Sequence, residues 1–246
     1  MTKTQIVILA AGQGKRLLPL TKELPKTILK VGELPIIDHI FNSLNLNSVN
    51  EILIAVGYKK KVVMDHLKND FKGIPIKYID NPKHAETNSL YSLWLAKKIL
   101  KEKITIINAD TLFHKKILED LIISPYDAAL AIDDTISSPL PEEAMKATIE
   151  NKKIKDVSKT IPAEKTQGDA IGLYKFAGES LKILISELDN LVLNSITKQL
   201  FTYAVRNILD KTDVYSVSTK GRAWIEIDDK NDLDAAQKLI DKIISI

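Results

Sequence analysis

The first half of the chain alternates between apolar runs and amphipathic segments. Three runs are almost continuously apolar, which is typical of strands buried on both faces of a parallel sheet: 5–11, 50–58 and 103–110. A further strand-like run lies at 74–80. Between these runs, apolar residues recur at helical spacing over 34–46, 59–71 and 86–100. Strands that alternate with helices predict an α/β fold with a mostly parallel central sheet and helices on both faces.

After residue 126 the pattern changes, because strand-like runs follow one another without long helices between them. A strand is predicted at 126–133, and 145–159 predicts a hairpin with its turn near Asn151. We predict a mobile loop at 137–143. The remaining segments predict strands at 169–176, 213–218 and 223–227, and helices at 178–188, 193–208 and 231–244.

The chain carries no Pro-, Gly- or Ser-rich linker that would separate independent domains. We therefore predict one domain over residues 1–246, in which about 1–133 and 221–246 form the core and about 134–220 form a small lobe. A chain of 246 residues with 45% hydrophobic residues is long enough to bury a substantial core.

Composition excludes several classes of protein. The 35 Lys and Arg residues nearly balance the 32 Asp and Glu residues, so neither a nucleic acid nor a membrane is expected as a partner. The chain has no cysteine, which excludes disulfides, thiolate metal sites and cysteine nucleophiles. We expect a cytoplasmic protein, since the sequence shows neither a signal-peptide pattern nor an apolar run long enough to span a membrane.

A glycine-containing loop follows the first predicted strand. Gly12 and Gly14 are followed by Lys15 and Arg16, and Lys26 lies further along the same connection. The dinucleotide fingerprint G-x-G-x-x-G lacks its third glycine here, and a P-loop would need Ser or Thr where Arg16 stands. Glycines still let backbone N–H groups approach an anion, so the loop favours a polyphosphate site. The alternative is a plain turn flanked by solvated basic residues.

The stretch LAAGQGKRLLPLTKELPKTILKV, residues 9–31, resembles the signature of the nucleotidyltransferases that activate sugar phosphates, phosphocholine and related acceptors with a nucleoside triphosphate. The family pattern is A-A-G-x-G-[ST]-R, followed by P-K. Lys15 replaces the usual Ser or Thr, while Arg16 and Lys26 match the two principal basic positions. The resemblance continues through ILIAVGY, INAD and WIEIDDKNDL, and it implies a Rossmann-like nucleotidyltransferase A fold.

The resemblance also implies roles for individual residues. Lys26 and Arg16 would be the catalytic residues, the core would hold the nucleotide and metal, and the lobe would hold the acceptor. The implied nucleotide contacts from the loop and the central strands are Leu9, Ala10, Ala11, Gly12, Gly14, Lys15, Arg16, Lys26, Ala109 and Asp110.

Acidic residues follow two predicted strands. Asp110 ends the strand at 103–110, where open α/β sheets place their ligands. Strand alternation puts Glu226 and Asp228 on one face, while Asp229 is a candidate cap of the final helix. Mg²⁺ takes few, well-placed carboxylates. By the resemblance, Asp110 and Asp228 bind Mg²⁺ and Glu226 shares or supports the ion. A strand-ending turn and a helix cap are the alternative interpretations.

The segment NPKHAETNSLYSLWLA, residues 81–96, resembles the phosphocholine cytidylyltransferases. Thr87, Asn88 and Ser89 are therefore candidate contacts for cytosine or ribose, and we expect CTP as the nucleotide. Segments 142–161 and 168–176 resemble cytidylyltransferases for phosphocholine, inositol phosphate and aminoethyl- or hydroxyethylphosphonate.

The lobe supplies candidate acceptor contacts. Lys146 and Lys159 would meet the acceptor's phosphoryl group, and Asp169 would meet an amine or hydroxyl group; the alternative for the lysines is surface charge on the hairpin. A quaternary ammonium group binds best among aromatic rings. The lobe has few of them, which favours an acceptor smaller than phosphocholine: Tyr174, Phe176, Phe201 and Tyr203.

Together these features predict a Mg²⁺-dependent cytidylyltransferase. It would transfer CMP from CTP to a small alcohol of the 2-aminoethylphosphonate, 2-hydroxyethylphosphonate, phosphoethanolamine or phosphocholine type and release pyrophosphate. One alternative is a sugar-1-phosphate or inositol-phosphate nucleotidyltransferase. Another is a non-catalytic nucleotide-binding regulatory subunit, which should have lost a metal carboxylate or Lys26. The sequence leaves the oligomeric state open between a monomer and a homodimer.

Overall fold

A computed structural model describes residues 3–135 and 140–245. Residues 137–139 of the predicted mobile loop lie outside this part of the chain. The strands are β1 (Thr4–Ala10), β2 (Lys30–Val31), β3 (Leu34–Pro35), β4 (Val49–Val56), β5 (Asp70–Phe71), β6 (Ile74–Asp80), β7 (Lys103–Asn108), β8 (Thr111–Phe113), β9 (Ala128–Asp133), β10 (Lys146–Glu150), β11 (Lys153–Ser158), β12 (Gly168–Ala177), β13 (Tyr215–Ser218) and β14 (Trp224–Glu226). The helices are α1 (Ile36–Asn42), α2 (Lys60–Leu67), α3 (Ser89–Ala96), α4 (Lys115–Ile123), α5 (Gly178–Leu193), α6 (Thr202–Asn207) and α7 (Lys230–Ile244).

Ten of these strands form one sheet in the order β10-β11-β13-β9-β12-β7-β1-β4-β6-β5. The apolar strands of the first half pair in parallel, β1 with β4 and β7, and β4 with β6. Beyond β7 the sheet becomes mixed, because β12 runs antiparallel to both β7 and β9. The strands of the predicted core and of the predicted lobe therefore share one hydrogen-bonded sheet.

Helices cover both faces of this sheet, and the predicted α/β class is confirmed. On one face, buried residues of α1, α2, α4 and α7 pack with alternate residues of β1 and β4, such as Ile6 and Ile52. On the other face, α3, α5 and α6 pack with the opposite alternation, such as Val7 and Leu53. No helix in the described part of the chain is long and apolar enough to cross a membrane.

Two helices depart from the sequence prediction, and one predicted hairpin is confirmed. The helix predicted at 193–208 is shorter and begins at Thr202, because the chain turns at Ser195 with a φ of 62° after α5 ends. Helix α4 was not predicted, although its buried residues recur at helical spacing. The predicted hairpin is confirmed as β10 and β11, whose turn residues Asn151 and Lys152 have φ values of 51° and 65°.

A short ribbon outside the main sheet joins two distant parts of the chain. In it, β14 pairs antiparallel with β8, so that Glu226 lies opposite Thr111. The ribbon continues where the amide of Ile227 donates to the carbonyl of Asp110 at 2.9 Å. Asp229 then caps α7 through a capping box with Asp232, as predicted for Asp229. The ribbon therefore brings Asp110 beside the acidic segment 226–229.

Candidate active site

A cavity of about 520 Å³ opens at the carboxyl ends of β1 and β7. This is the end of an α/β sheet at which ligands bind. The structure brings most of the predicted site residues to its wall: Leu9, Ala10, Ala11, Gly12, Gly14, Lys15, Arg16, Lys26, Thr87, Asn88, Ser89, Ala109, Asp110, Lys159, Glu226 and Asp228.

The glycine loop forms one wall of this cavity. Gly14 has a φ of 68°, and a Cβ atom there would lie 2.9 Å from the Cβ of Lys26. A glycine therefore allows both the left-handed turn and the close passage of the lysine side chain. The carbonyl of Gly14 accepts a hydrogen bond from the Thr21 hydroxyl at 2.9 Å. Nothing lies within 4 Å of the position that a Cβ of Gly12 would take, so this backbone faces open space.

Lys26 lies between two carboxylates at the floor of the cavity. Its Nζ donates to Asp110 Oδ2 at 3.0 Å and to Asp228 Oδ1 at 2.7 Å. Burial alone would lower the pKa of Lys26, but the charges of Asp110 and Asp228 raise it above its ordinary value. Burial alone would raise the pKa of Asp228, but the positive charges of Lys26 and then of Arg16 hold it below its usual range. Arg16 donates to Asp228 at 2.5 Å.

Asp110, Glu226 and Asp228 form a cluster of three carboxylates. One oxygen from each lies within 4.8 Å of the others. Burial, followed by the charges of Asp110 and Asp228, raises the pKa of Glu226 to about 8. The Oδ1 atom of Asp110 is buried and has no hydrogen-bond partner among the residues that the structure describes. A buried, unpaired acceptor beside two further carboxylates fits a hard divalent cation, which takes oxygen ligands.

The segment before α3 forms another wall. Asn81 is buried and donates to Thr87 Oγ1 at 3.1 Å and to Ser92 Oγ at 3.0 Å. Asn88 caps α3 by accepting from the amide of Ser89 at 2.8 Å. The Ser89 hydroxyl accepts from the amide of Phe201 at 3.0 Å. These bonds fix the backbone of the segment at the edge of the cavity and tie it to the turn before α6.

The predicted acceptor contacts do not all reach the cavity. Lys159 lines it, and its Nζ lies 3.6 Å from Glu143. Lys146 does not, since its buried Nζ donates to the carbonyls of Glu142 and Lys159, at 2.9 Å each. Asp169 is also buried outside the lining, where desolvation raises its pKa to about 6. In this structure Lys146 and Asp169 face each other in the β10–β12 pairing, and their contact with an acceptor stays a prediction.

Two aromatic rings of the lobe line the cavity, Tyr174 and Phe201. They pack edge to face with their centroids 4.5 Å apart. Phe176 is fully buried in the core, on the face covered by α5 and α6. Tyr203 is 36% exposed and does not lie among the lining residues described.

Sequence reasoning missed part of the wall: Thr27, Asn81, His84, Ser92, Asn108, Met145, Ala170, Gly172, Leu200 and Thr202. Two of these carried a signal. Asn108 stands directly before Ala109 in the stretch INAD, and Gly172 interrupts an apolar strand. Gly172 has a φ of 87°, and a Cβ there would lie 2.8 Å from Thr111 Oγ1, so a glycine lets β12 approach β8 closely.

Curated relatives of known activity are similar to this chain over its length. The choline-phosphate cytidylyltransferase of Streptococcus pneumoniae is 27% identical over 235 residues, which cover 95% of this chain and 97% of that protein. The CTP:phosphoglutamine cytidylyltransferase of Campylobacter jejuni is 28% identical, with 93% and 97% covered. The bifunctional protein GlmU of Methanococcus maripaludis is 29% identical over 97% of this chain, but the chain spans only 55% of that protein.

Solved structures agree with this picture. The structure of the CTP:phosphocholine cytidylyltransferase from Streptococcus pneumoniae has a TM-score of 0.77 at 25% identity, with 97% of this chain and 99% of that one covered. The inositol-1-phosphate CTP transferase from T. maritima has a TM-score of 0.79, at 19% identity, which supports the fold alone. The family model described as nucleotidyl transferase matches residues 5–242. With its sheet, its glycine loop and its carboxylate cluster, the chain belongs to the nucleotidyl transferase family and resembles its cytidylyltransferase members.

Proposed function

We propose that this nucleotidyl transferase moves CMP from CTP to a small alcohol that bears a phosphate or phosphonate group, and releases pyrophosphate. The observation that carries the proposal is the position of Lys26 between Asp110 and Asp228, directly beside the glycine loop. With a divalent cation on the carboxylates, the cation and Lys26 together could balance the charge of a triphosphate and an anionic acceptor that meet at one phosphorus atom. The similarity to cytidylyltransferases over nearly the full chain supports CTP as the nucleotide.

Asp110, Asp228 and Glu226 would hold the divalent cation, for which Mg²⁺ is proposed. When bound, Mg²⁺ supplies charge compensation for the triphosphate. Asp110 Oδ1 would provide a ligand atom, since no group in residues 3–135 and 140–245 bonds it. Glu226 lies in β14, Asp110 directly precedes β8 and Asp228 follows β14, so the β8–β14 ribbon would set the spacing of the three carboxylates.

The two walls of the cavity would divide the nucleotide between them. The backbone around Gly12 and Gly14, with Lys15 and Arg16, would bind the β- and γ-phosphates, since N–H groups and fixed positive charge both favour an anion. The base and ribose would lie against the end of β1, Ala109 and the start of α3. The residues proposed for that contact are Leu9, Ala10, Ala11, Thr87, Asn88 and Ser89.

The proposed reaction is a direct in-line displacement. An oxygen of the acceptor's phosphate or phosphonate attacks the α-phosphorus, and a new P–O bond forms there. The bond from the α-phosphorus to the bridging oxygen breaks, and its electron pair leaves with pyrophosphate. The nucleophile is already an anion, so no protein base is needed. Catalysis rests on alignment and on Lys26, whose ammonium lies where negative charge develops.

The segment from about 134 to 220 is proposed to bind the acceptor. Lys159 would contact the phosphoryl group, since it lines the cavity while Lys146 is committed to backbone carbonyls. A trimethylammonium group needs several ring faces around it. Tyr174 and Phe201 line the cavity and pack edge to face against each other. This packing leaves few ring faces free to surround a trimethylammonium group. We therefore favour acceptors such as 2-aminoethylphosphonate, 2-hydroxyethylphosphonate or phosphoethanolamine.

The test is pyrophosphate release with each nucleoside triphosphate against a panel of acceptors and Mg²⁺. The panel contains the three favoured acceptors, phosphocholine, inositol 1-phosphate and glucose 1-phosphate. CTP with a small phospho- or phosphono-alcohol should give the highest kcat/KM. A desolvated cation–π contact is worth about 2 kcal/mol, so phosphocholine should be disfavoured tens-fold.

Each other outcome identifies an alternative. Preference for phosphocholine by tenfold or more would overturn the acceptor class. Preference for glucose 1-phosphate or inositol 1-phosphate would indicate a sugar-1-phosphate or inositol-phosphate nucleotidyltransferase instead. Tight CTP binding without release of pyrophosphate in the presence of any acceptor of the panel would overturn catalysis and indicate a regulatory nucleotide-binding protein.

A further inference from the structure

The ribbon that carries Glu226, and is flanked by Asp110 and Asp228, is short. In it, β14 comprises only Trp224–Glu226 and pairs with the three residues of β8. A two-stranded ribbon of this length is marginally stable by itself. Its geometry must therefore depend on contacts other than the hydrogen bonds between β8 and β14. At its carboxyl end, the amide of Asp228 donates to Asp232 in α7 at 2.9 Å.

At the other end, Trp224 bonds to a buried carboxylate. Its indole Nε1 donates to Asp133 Oδ2 at 2.6 Å. Asp133 ends β9 and is only 6% exposed. Its Oδ1 accepts from the amide of Thr135 at 3.0 Å, from the Thr135 hydroxyl at 2.7 Å and from the Thr219 hydroxyl at 3.2 Å. The carboxylate is thus held on all sides, and it offers the indole a fixed point in the main sheet.

Trp224 and Glu226 are two residues apart in one strand. Side chains at this spacing project from the same face of the strand. Because one short stretch of backbone joins Trp224 to Glu226 and Asp228, a shift of Trp224 also moves these two carboxylates. Within the described part of the chain, the Asp133 side chain bonds only Thr135, Thr219 and Trp224, and Asp133 is not among the residues that line the cavity. The contact therefore acts on the site only through the position of β14.

We propose that Trp224 and Asp133 are positioning residues that fix the spacing of the metal-binding carboxylates through the indole–carboxylate hydrogen bond. The proposal rests on the function proposed above. Groups that orient metal ligands from outside commonly change metal affinity or activity by about 10–100-fold when altered. The same scale is expected here for the loss of the indole N–H group.

The chain contains a matched control for this bond. The protein has two tryptophans, and the other one, Trp94, also donates its indole N–H to an aspartate, Asp189, at 2.8 Å. That bond joins α3 to α5 on the opposite face of the sheet. Trp224→Phe and Trp94→Phe thus remove the same chemical group from the same kind of bond, and only the first lies in the strand that carries Glu226.

The experiment measures Mn²⁺ binding by electron paramagnetic resonance, with the free ion as signal, on the full chain without nucleotide. Trp224→Phe should raise the Kd for Mn²⁺ about 10–100-fold, whereas Trp94→Phe should stay within about twofold of the wild type. In the turnover assay, Trp224→Phe should lose kcat at limiting Mn²⁺ and recover most of it at saturating Mn²⁺. Asp133→Asn is the second variant and should reproduce both effects if Trp224→Phe folds poorly; urea unfolding records the stability of all three.

An unchanged Mn²⁺ affinity in folded Trp224→Phe and Asp133→Asn would overturn the proposal. So would a loss of kcat that excess Mn²⁺ does not restore, since a purely structural defect behaves in that way. The Mn²⁺ measurement needs no acceptor and no CTP. If the wild type shows no turnover, but Trp224→Phe still binds Mn²⁺ more weakly than the wild type, the result counts against the proposed function. The positioning role is then still supported.

Discussion

Replacing Lys26 with Met should strengthen the binding of a divalent cation in the absence of nucleotide, even though it removes a catalytic group. The ammonium of Lys26 bonds both Asp110 and Asp228, so it already neutralises the carboxylates that would hold the metal. An arriving cation has to compete with it. Without this ammonium, Asp110 and Asp228 lose the counter-ion that they share.

The size of the effect follows from the two bonds at 3.0 and 2.7 Å. A hydrogen bond to a charged group contributes about 1.5–3 kcal/mol net. When the cation displaces the ammonium, both bonds break, but the ammonium regains hydration that offsets part of this cost. We therefore take the contribution of one bond as the net cost of displacement. At about 1.4 kcal/mol per factor of ten, the Kd for Mn²⁺ should fall roughly 10- to 150-fold in Lys26→Met.

The assay is Mn²⁺ titration of the nucleotide-free protein, with Lys15→Met as the control. Lys15 lines the same cavity and its loss changes the net charge equally, but the bonds to Asp110 and Asp228 come from Lys26 and Arg16. Lys15→Met should therefore tighten Mn²⁺ binding far less. Equal effects of the two variants would show that only net charge matters. A weaker Mn²⁺ affinity in Lys26→Met would refute the competition.

Three further predictions concern single positions. Asp110→Asn should lower kcat by about 10²–10³ in the pyrophosphate-release assay while the urea unfolding curve stays cooperative, and near wild-type kcat would exclude Asp110 as a metal ligand. Gly14→Ala should cost about 1–2 kcal/mol of stability in urea and also lower kcat, since its Cβ would press on Lys26. Gly73→Ala, with a φ of 87° and no atom within 4 Å of the new Cβ, should cost similar stability without changing kcat. Burial lowers the pKa of Lys175 to about 8, so between pH 8 and its ordinary value of 10.5 the folded protein binds fewer protons than the unfolded chain. The wild type should therefore gain stability relative to Lys175→Met as the pH rises through this window, and parallel pH curves of the two proteins would contradict the pKa shift.

Much of the fold could be predicted because its signals are local. The run at 74–80 is a strand with the predicted bounds, and the ends of β1, β4 and β7 differ from the prediction by no more than two residues. A strand buried on both faces is almost continuously apolar, so a short apolar run bounded by turn residues indicates it. The hairpin turn near Asn151 is likewise a local property, since few residues accept a positive φ. Helix α4 also has a local signal, since its buried residues recur at helical spacing, but the sequence prediction did not include this helix.

By itself the sequence determined the order of the strands and helices, and the chemistry that each segment brings to the site. Only the tertiary structure decided which side chains meet. Lys26 bonds Asp110 and Asp228 across 84 and 202 residues of chain, and no periodicity carries contacts of that range. The same limit explains Lys146 and Asp169, which have suitable chemistry but are held inside the β10–β12 pairing. A charged side chain takes the partner that compensates its desolvation best, and that partner is known only once the sheet has assembled.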